Sequence, residues 1–148
     1  MKNKKRVIYI IGSLRNKKVP IIANQLRKAL PNAEIFDSWF SPGPRADDFW
    51  RDYCKGKGLS YKEALEDYSC THIFEFDKYH IDRSTDVILI MKGGKSAFLE
   101  LGYSLGKGKR GFILFDKVPE RYDVMMRFAN SVCFSFEDLV KELKKYEK

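Results

Sequence analysis

A chain of 148 residues that is 44% hydrophobic and 14% aromatic has enough apolar material for one domain, here residues 1–148, with a substantial core. No run approaches the roughly 18 apolar residues of a membrane span, and the basic stretch Met1 to Arg6 reads as a solvated lead-in to a first strand rather than a signal peptide. The formal net charge of +8 favours anionic partners, nucleic acid or a phosphorylated small molecule, but it is diffuse and reads first as a solvated basic surface; no helix-turn-helix, finger or RNP-type motif supports nucleic acid.

In chain order, Val7–Ile11 is a continuous apolar run and reads as strand one. Val19–Leu30 has helical spacing at Ile22, Leu26, Ala29 and Leu30, and Pro31-Asn32 ends it. Ala33–Phe36 is a short strand two. Ser38–Gly58 has no clear period; it is too aromatic for disorder and reads as an ordered lid, with Trp39, Phe40, Phe49, Trp50 and Tyr53. Its aromatic groups either stack a flat ligand or form a satellite cluster beneath the loop. Ser60–Arg83 carries helical signals broken in the middle, and Asp86–Met91 is strand three. Ala97–Lys107 is a helix closed by Gly106 and Gly108, Gly111–Phe115 strand four, Glu120–Ala129 a helix, Val132–Ser135 strand five and Phe136–Tyr146 an amphipathic helix.

Short apolar strands alternating with helices predict a Rossmann- or flavodoxin-like α/β three-layer sandwich with a mainly parallel five-stranded sheet, order 2-1-3-4-5. Ligands of such sheets bind at the carboxyl ends of strands one and three, where Gly12–Arg15 and Met91–Ser96 then converge.

Four sets of residues invite chemistry. Glu100 is expected in the first turn of its helix, where the dipole lowers a carboxyl's pKa; it is either a nucleophile or an ordinary first-turn acid. Gly12-Ser13-Leu14-Arg15 offers backbone N–H groups, a hydroxyl and a guanidinium, which suits one phosphate or a plain tight turn. Asp77 and Asp82 precede strand three and are either proton donors to a leaving group or surface partners of Lys78 and Arg83; Asp86 reads as a cap or turn residue. Tyr9 lies in strand one and reads as a core residue, with a hydroxyl that could reach the crevice. His72 and His80 read as structural or surface residues, without metal-ligand spacing. Cys54, Cys70 and Cys133 fit no disulfide frame, so a reducing, cytoplasmic compartment is expected.

Taken together, Tyr9-Ile10-Ile11-Gly12-Ser13-Leu14-Arg15, the Asp77 to Asp86 stretch before Val87–Ile90, and Leu99-Glu100-Leu101-Gly102-Tyr103 resemble the nucleoside 2-deoxyribosyltransferase superfamily, which includes 2'-deoxynucleoside 5'-monophosphate N-hydrolases. The resemblance implies Glu100 as the nucleophile on the sugar, Asp77 first and Asp82 second as the group facing the base, and Tyr9 as the residue orienting the nucleophile. It implies substrate contacts from Gly12, Ser13, Leu14 and Arg15; Asp37, Trp39, Phe40, Gly94 and Ser96 are further candidates for the substrate site, though the aromatic loop and the Gly94–Ser96 positions depart from the family pattern. Gly-Ser-Leu-Arg is close to the Gly-Ser-Ile-Arg of the hydrolase branch, which holds a 5'-phosphate. Gly94 stands where the transferases have an aspartate and the hydrolases a serine; Ser96 is two residues later. Asn130 is the candidate for completing a neighbouring subunit's site in a homodimer or higher homo-oligomer. No metal or organic cofactor is implied. Two other functions fit the same crevice: a non-catalytic nucleotide-binding or sensing module, and a nicotinamide dinucleotide glycohydrolase.

Overall fold

Val7–Ile11 (β1) carries five apolar side chains in succession, and all five are buried. A strand of this kind needs cover on both faces, and the computed structural model, which describes residues 4–147, supplies it. Met1 to Asn3 of the basic lead and Lys148 lie outside the described residues.

The remaining strands are Glu34–Phe36 (β2), Asp86–Ile90 (β3), Arg110–Leu114 (β4) and Ser131–Cys133 (β5). They form one sheet in the order β2-β1-β3-β4-β5, every neighbouring pair parallel, as expected. Alternation along each strand sorts the side chains to two faces. Ile8, Ile10, Ile88, Ile90, Phe112 and Leu114 pack with Val19, Ala23 and Leu26 of Lys18–Ala29 (α1) and with Leu139 and Leu143 of Phe136–Lys144 (α6). Tyr9, Ile11, Val87, Leu89 and Ile113 face the other way, toward Ile81 of Tyr68–Asp82 and toward Ala97 and Leu101 of Lys95–Gly106.

Three expectations change. The irregular lid is largely helical: Ser38–Phe40 is a 3-10 turn and Ala46–Gly56 is a helix (α2), with Asp47 and Asp48 in its first turn and Lys55 in its last, as the macrodipole favours. Its aromatic residues at 49, 50 and 53 and the buried Cys54 follow helical spacing, masked in sequence by interleaved charges. The stretch Ser60–Arg83 is broken in the middle as expected: it is two helices, Tyr61–Glu66 (α3) and Tyr68–Asp82 (α4), meeting at Asp67, which ends one and caps the next by accepting the Ser69 N–H with its carboxylate. Lys95–Gly106 is α5. The helix expected over Glu120–Ala129 is only a 3-10 turn, Val124–Phe128: Asp123 accepts from the Met125 N–H, and Val124, Met125 and Phe128 stay exposed, so no apolar face holds a longer helix.

Asp86 is the third correction. It is no cap but the first residue of β3, fully buried between two arginines. Arg6 donates to it at 2.9 and 3.1 Å and Arg110 at 2.6 and 3.0 Å, with the Thr85 hydroxyl at 2.6 Å. Burial alone would raise its pKa; the hydrogen bonds from Arg110, Arg6 and Thr85 outweigh it and hold the carboxyl below its ordinary value. This clasp closes the amino-terminal edge of the sheet.

Candidate active site

The amino end of α5 fixes the position of Glu100. The helix starts at Lys95 after Gly94, two residues earlier than expected, so Glu100 falls in the second turn, beyond the reach of the dipole's main effect. Its neighbour Gly93 permits the tight approach: a Cβ there would meet Ala97 Cβ at 2.7 Å and Leu89 Cδ1 at 2.9 Å. The Ser104 hydroxyl donates to the Glu100 carbonyl at 2.7 Å.

Glu100, Asp77 of α4 and Tyr9 of β1 form one electrostatic group in the furrow between α4 and α5, above β1. Burial first, and then the Asp77 charge, push the Glu100 carboxyl up to about 8, while a hydrogen bond from the Tyr9 phenol opposes the rise. Burial lifts Asp77 to about 6. Tyr9 is 1% exposed, and burial followed by the charges of Glu100 and Asp77 drives its pKa far above the ordinary phenol value, so it acts only as a hydrogen-bond donor to Glu100. The lowered pKa expected for Glu100 is therefore reversed: distance from the helix start removes the dipole, and a second carboxyl supplies repulsion. Two interacting carboxyls with values of about 6 and 8 hold a single proton between those pH limits.

Asp82, the second aspartate expected near the base, does not join this group. It is exposed at the end of α4 and accepts from the Tyr103 hydroxyl at 2.5 Å and from Lys78 at 2.9 Å. These hydrogen bonds, Tyr103 first, hold its pKa down.

The Gly12–Arg15 loop meets the end of β3, as anticipated. A Cβ on Gly12 would lie 3.0 Å from Val19 Cγ2 and 3.5 Å from the Ile90 carbonyl, and the Asn16 side-chain amide donates to the Met91 carbonyl at 3.3 Å. Ser13 Oγ accepts from the Arg15 N–H at 3.1 Å, shaping the turn. Leu14 is half-buried, and the exposed Arg15 guanidinium stands 3.6 Å from Asp48 of α2. Gly94 and Ser96 are exposed at the start of α5, with open space around Gly94.

Other expected contact residues have structural partners. Arg27 donates to the Asp37 carboxylate at 2.5 Å. Trp39 donates its indole N–H to the Ile10 carbonyl at 2.7 Å, and both Trp39 and Phe40 are partly buried against the core. Trp50 likewise donates to Ser69 Oγ at 3.1 Å. Asn130 lies at the amino-terminal edge of the sheet, where its side chain accepts from the Gly111 N–H at 2.9 Å and its own N–H donates to the Gly111 carbonyl at 2.7 Å. It bridges the starts of β4 and β5 within the chain, at the opposite edge from the Gly12–Arg15 loop.

His80, read from sequence as structural or surface, borders the furrow. Its ring stacks on Phe36 at 3.9 Å, and Phe36 stacks in turn on Tyr9 at 5.5 Å. The only sequence signal was its position three residues after Asp77, on one side of a helix. Among the described residues no group of three or more His, Cys, Asp or Glu side chains is placed to hold a metal ion. Nor is any helix among them long and apolar enough to cross a membrane.

No family model and no curated protein matches the chain. Solved structures do match its fold. A conserved protein from Enterococcus faecalis V583 aligns with a TM-score of 0.66 at 14% identity, over 97% of this chain and 100% of its own. The 2-deoxyribosyltransferase of Bacillus psychrosaccharolyticus aligns at 0.58 and 15% identity, over 90% of each chain. The CMP N-glycosidase of Clostridium botulinum aligns at 0.52 and 13% identity, over 94% of this chain and 99% of its own. The shared feature is the fold.

Proposed function

We propose that this protein cleaves or exchanges the N-glycosidic bond of 2'-deoxynucleosides, with the 5'-monophosphates as preferred substrates. The observation that carries the reading is the Tyr9–Asp77–Glu100 group: two half-buried carboxyls holding one proton, one of them hydrogen-bonded by a phenol. The names of two fold neighbours, a 2-deoxyribosyltransferase and a CMP N-glycosidase, point to the same bond.

The chemistry follows the retaining logic of two carboxyl groups. The Glu100 carboxylate attacks C1' of the sugar; the C1'–N bond breaks, and its electron pair leaves with the base. Asp77 delivers the shared proton to that base. A glycosyl ester on Glu100 and a free base result. Water or a second base then attacks C1' and frees Glu100. In the free site the shared proton rests on Glu100, the group with the higher value, and it must pass to Asp77 before Glu100 attacks; the Tyr9 hydrogen bond favours the Glu100 anion that this transfer produces. Arg15, exposed beside the furrow's end of the sheet, is the anchor for a 5'-phosphate once Asp48 yields its guanidinium.

The active form is a homo-oligomer. Of the fifteen residues of α4 only Ile81 is buried, whereas Ile73, Phe74, Phe76 and Tyr79 are exposed around Asp77. An apolar surface of this kind marks an interaction face, and a second copy covering it would close the furrow from water. Light scattering coupled to size exclusion would give a dimer mass or larger.

The direct test is a panel of deoxynucleosides, deoxynucleoside monophosphates and CMP, incubated with and without an acceptor base and read for free base. Release that disappears in Glu100→Ala is expected. Unchanged turnover in that variant would overturn the reading.

A further inference from the structure

Phe36, at the end of β2, is the contact common to the two halves of the furrow. One side of its ring stacks on Tyr9 of β1, with centroids 5.5 Å apart and planes 21° apart. His80 of α4 stacks on it at 3.9 Å and 15°, and Phe76 leans on it at 6.2 Å. Phe76 and His80 also touch edge to face at 4.7 Å. Asp77 lies between those two residues in sequence, so the contacts of Phe76 and His80 with Phe36 fix how α4 is rotated where it carries Asp77.

His80 is itself clamped. Arg83 Nε donates to His80 Nδ1 at 2.8 Å, so Nδ1 carries the lone pair and Nε2 the proton. The Arg83 guanidinium is gripped by both oxygens of Glu34 in β2, at 2.8 and 2.6 Å, and lies 5.4 Å from the Phe36 ring centroid. The clamp thus ties the end of α4 to β2, the strand that carries Phe36.

We propose that His80, locked by Arg83 and Glu34, is a positioning residue that sets the separation of Asp77 from Glu100 through its stack on Phe36. The proposal rests on the reading of those two carboxyls as the reacting pair. If α4 can rotate or slide on Phe36, Asp77 moves relative to Glu100. Their mutual repulsion then falls, and the alignment of nucleophile and proton donor is lost. The charged and titratable groups around the pair are few. Tyr9 faces it from β1, and Lys78 and Asp82 of α4 are engaged with Tyr103 of α5. Asp86 of β3 and Arg110 of β4 satisfy each other at the far edge of the sheet. Around His80, burial and the Arg83 charge favour the neutral ring, and Glu34 opposes them.

The experiment is a carboxyl-carbon NMR titration of Glu100 and Asp77, beside the pH profile of kcat, in the full chain and in His80→Ala, His80→Phe and Arg83→Gln. In His80→Ala the Glu100 midpoint falls by half a pH unit or more, and kcat drops about tenfold with KM nearly unchanged, as misplacement of a reacting group predicts. His80→Phe keeps the flat ring but loses the acceptor for Arg83, so it recovers most of both and falls short of wild type by about as much as Arg83→Gln. Arg83→Gln releases the clamp without touching the ring and moves the midpoint the same way by less. A Glu100 midpoint unchanged in either His80→Ala or Arg83→Gln overturns the proposal. So does a His80→Phe protein that behaves like His80→Ala. Because the titration needs no substrate, these shifts in the variants of a protein whose wild type releases no base retire the enzymatic reading and leave the positioning of Asp77 against Glu100 standing.

Discussion

The two faces of the sheet are built from the same strands and do opposite things. Under α1 and α6, Val19, Ala23, Leu26, Leu139 and Leu143 are fully buried against isoleucines and phenylalanine of the sheet, with no titratable carboxyl among them. Under α4 and α5, the sheet presents Tyr9, the helices bring Asp77 and Glu100 above it, and α4 buries only Ile81. One face is a sealed core that fixes the strands. The other leaves polar groups half-dry, which shifts their protonation and makes them useful. If this division is right, substitutions on the first face should change stability and not chemistry, and those on the second should change chemistry and even improve stability.

The largest effect is expected on the α4–α5 face. Glu100→Gln should abolish base release, and Asp77→Asn should lower kcat by about 10²–10⁴-fold, the usual loss on removing a general acid. Both proteins should remain folded by circular dichroism. On the opposite face, Leu139→Ala should cost about 2–5 kcal/mol in urea unfolding, with kcat unchanged well below its transition. Loss of turnover in folded Leu139→Ala would break the comparison.

A pH-dependent stability difference sharpens it. Glu100 and Asp77 have folded pKa values above their unfolded ones, so the folded state binds more protons than the unfolded state between about pH 4 and 8. Their ionisation therefore destabilises the fold as pH rises through those values. Glu100→Gln should melt a few degrees higher than wild type at pH 9, and the gap should close toward pH 4. A gap that widens at low pH would contradict the burial of Glu100. Smallest is the effect at the rim: Arg15→Ala should raise KM for a deoxynucleoside monophosphate by roughly tenfold through loss of a charge-assisted pair, and leave the free nucleoside unaffected.

Much of this division could be read in the sequence. Continuous apolar strands and intervening amphipathic helices specify a doubly covered parallel sheet, and the order β2-β1-β3-β4-β5 followed from them. Residue type and place left Glu100 open as an ordinary first-turn acid, Asp77 level with Asp82 and Tyr9 a core residue; the resemblance singled out the three. What stayed hidden depends on contacts distant in the chain. Asp82 is diverted by Tyr103, Asp86 is clasped by Arg6 and Arg110, and Asn130 is tied to Gly111; no local window holds both partners. The elevated pKa of Glu100 has the same origin, because the burial that mainly raises it, and the Asp77 charge that adds to it, come from elements distant in the chain. The helix α2 was missed for a different reason. Its aromatic spacing was helical, but the charges among those aromatics concealed it.

The central claim is that a carboxylate of the chain, Glu100, bonds to the sugar before the acceptor does. The anomeric configuration of the first product tests it. With a β-deoxynucleoside monophosphate as substrate and methanol as acceptor, NMR should show the methyl glycoside forming first as the β-anomer, the outcome of two successive displacements. An α-anomer formed first would mean direct attack on the sugar and would contradict a glycosyl ester on Glu100.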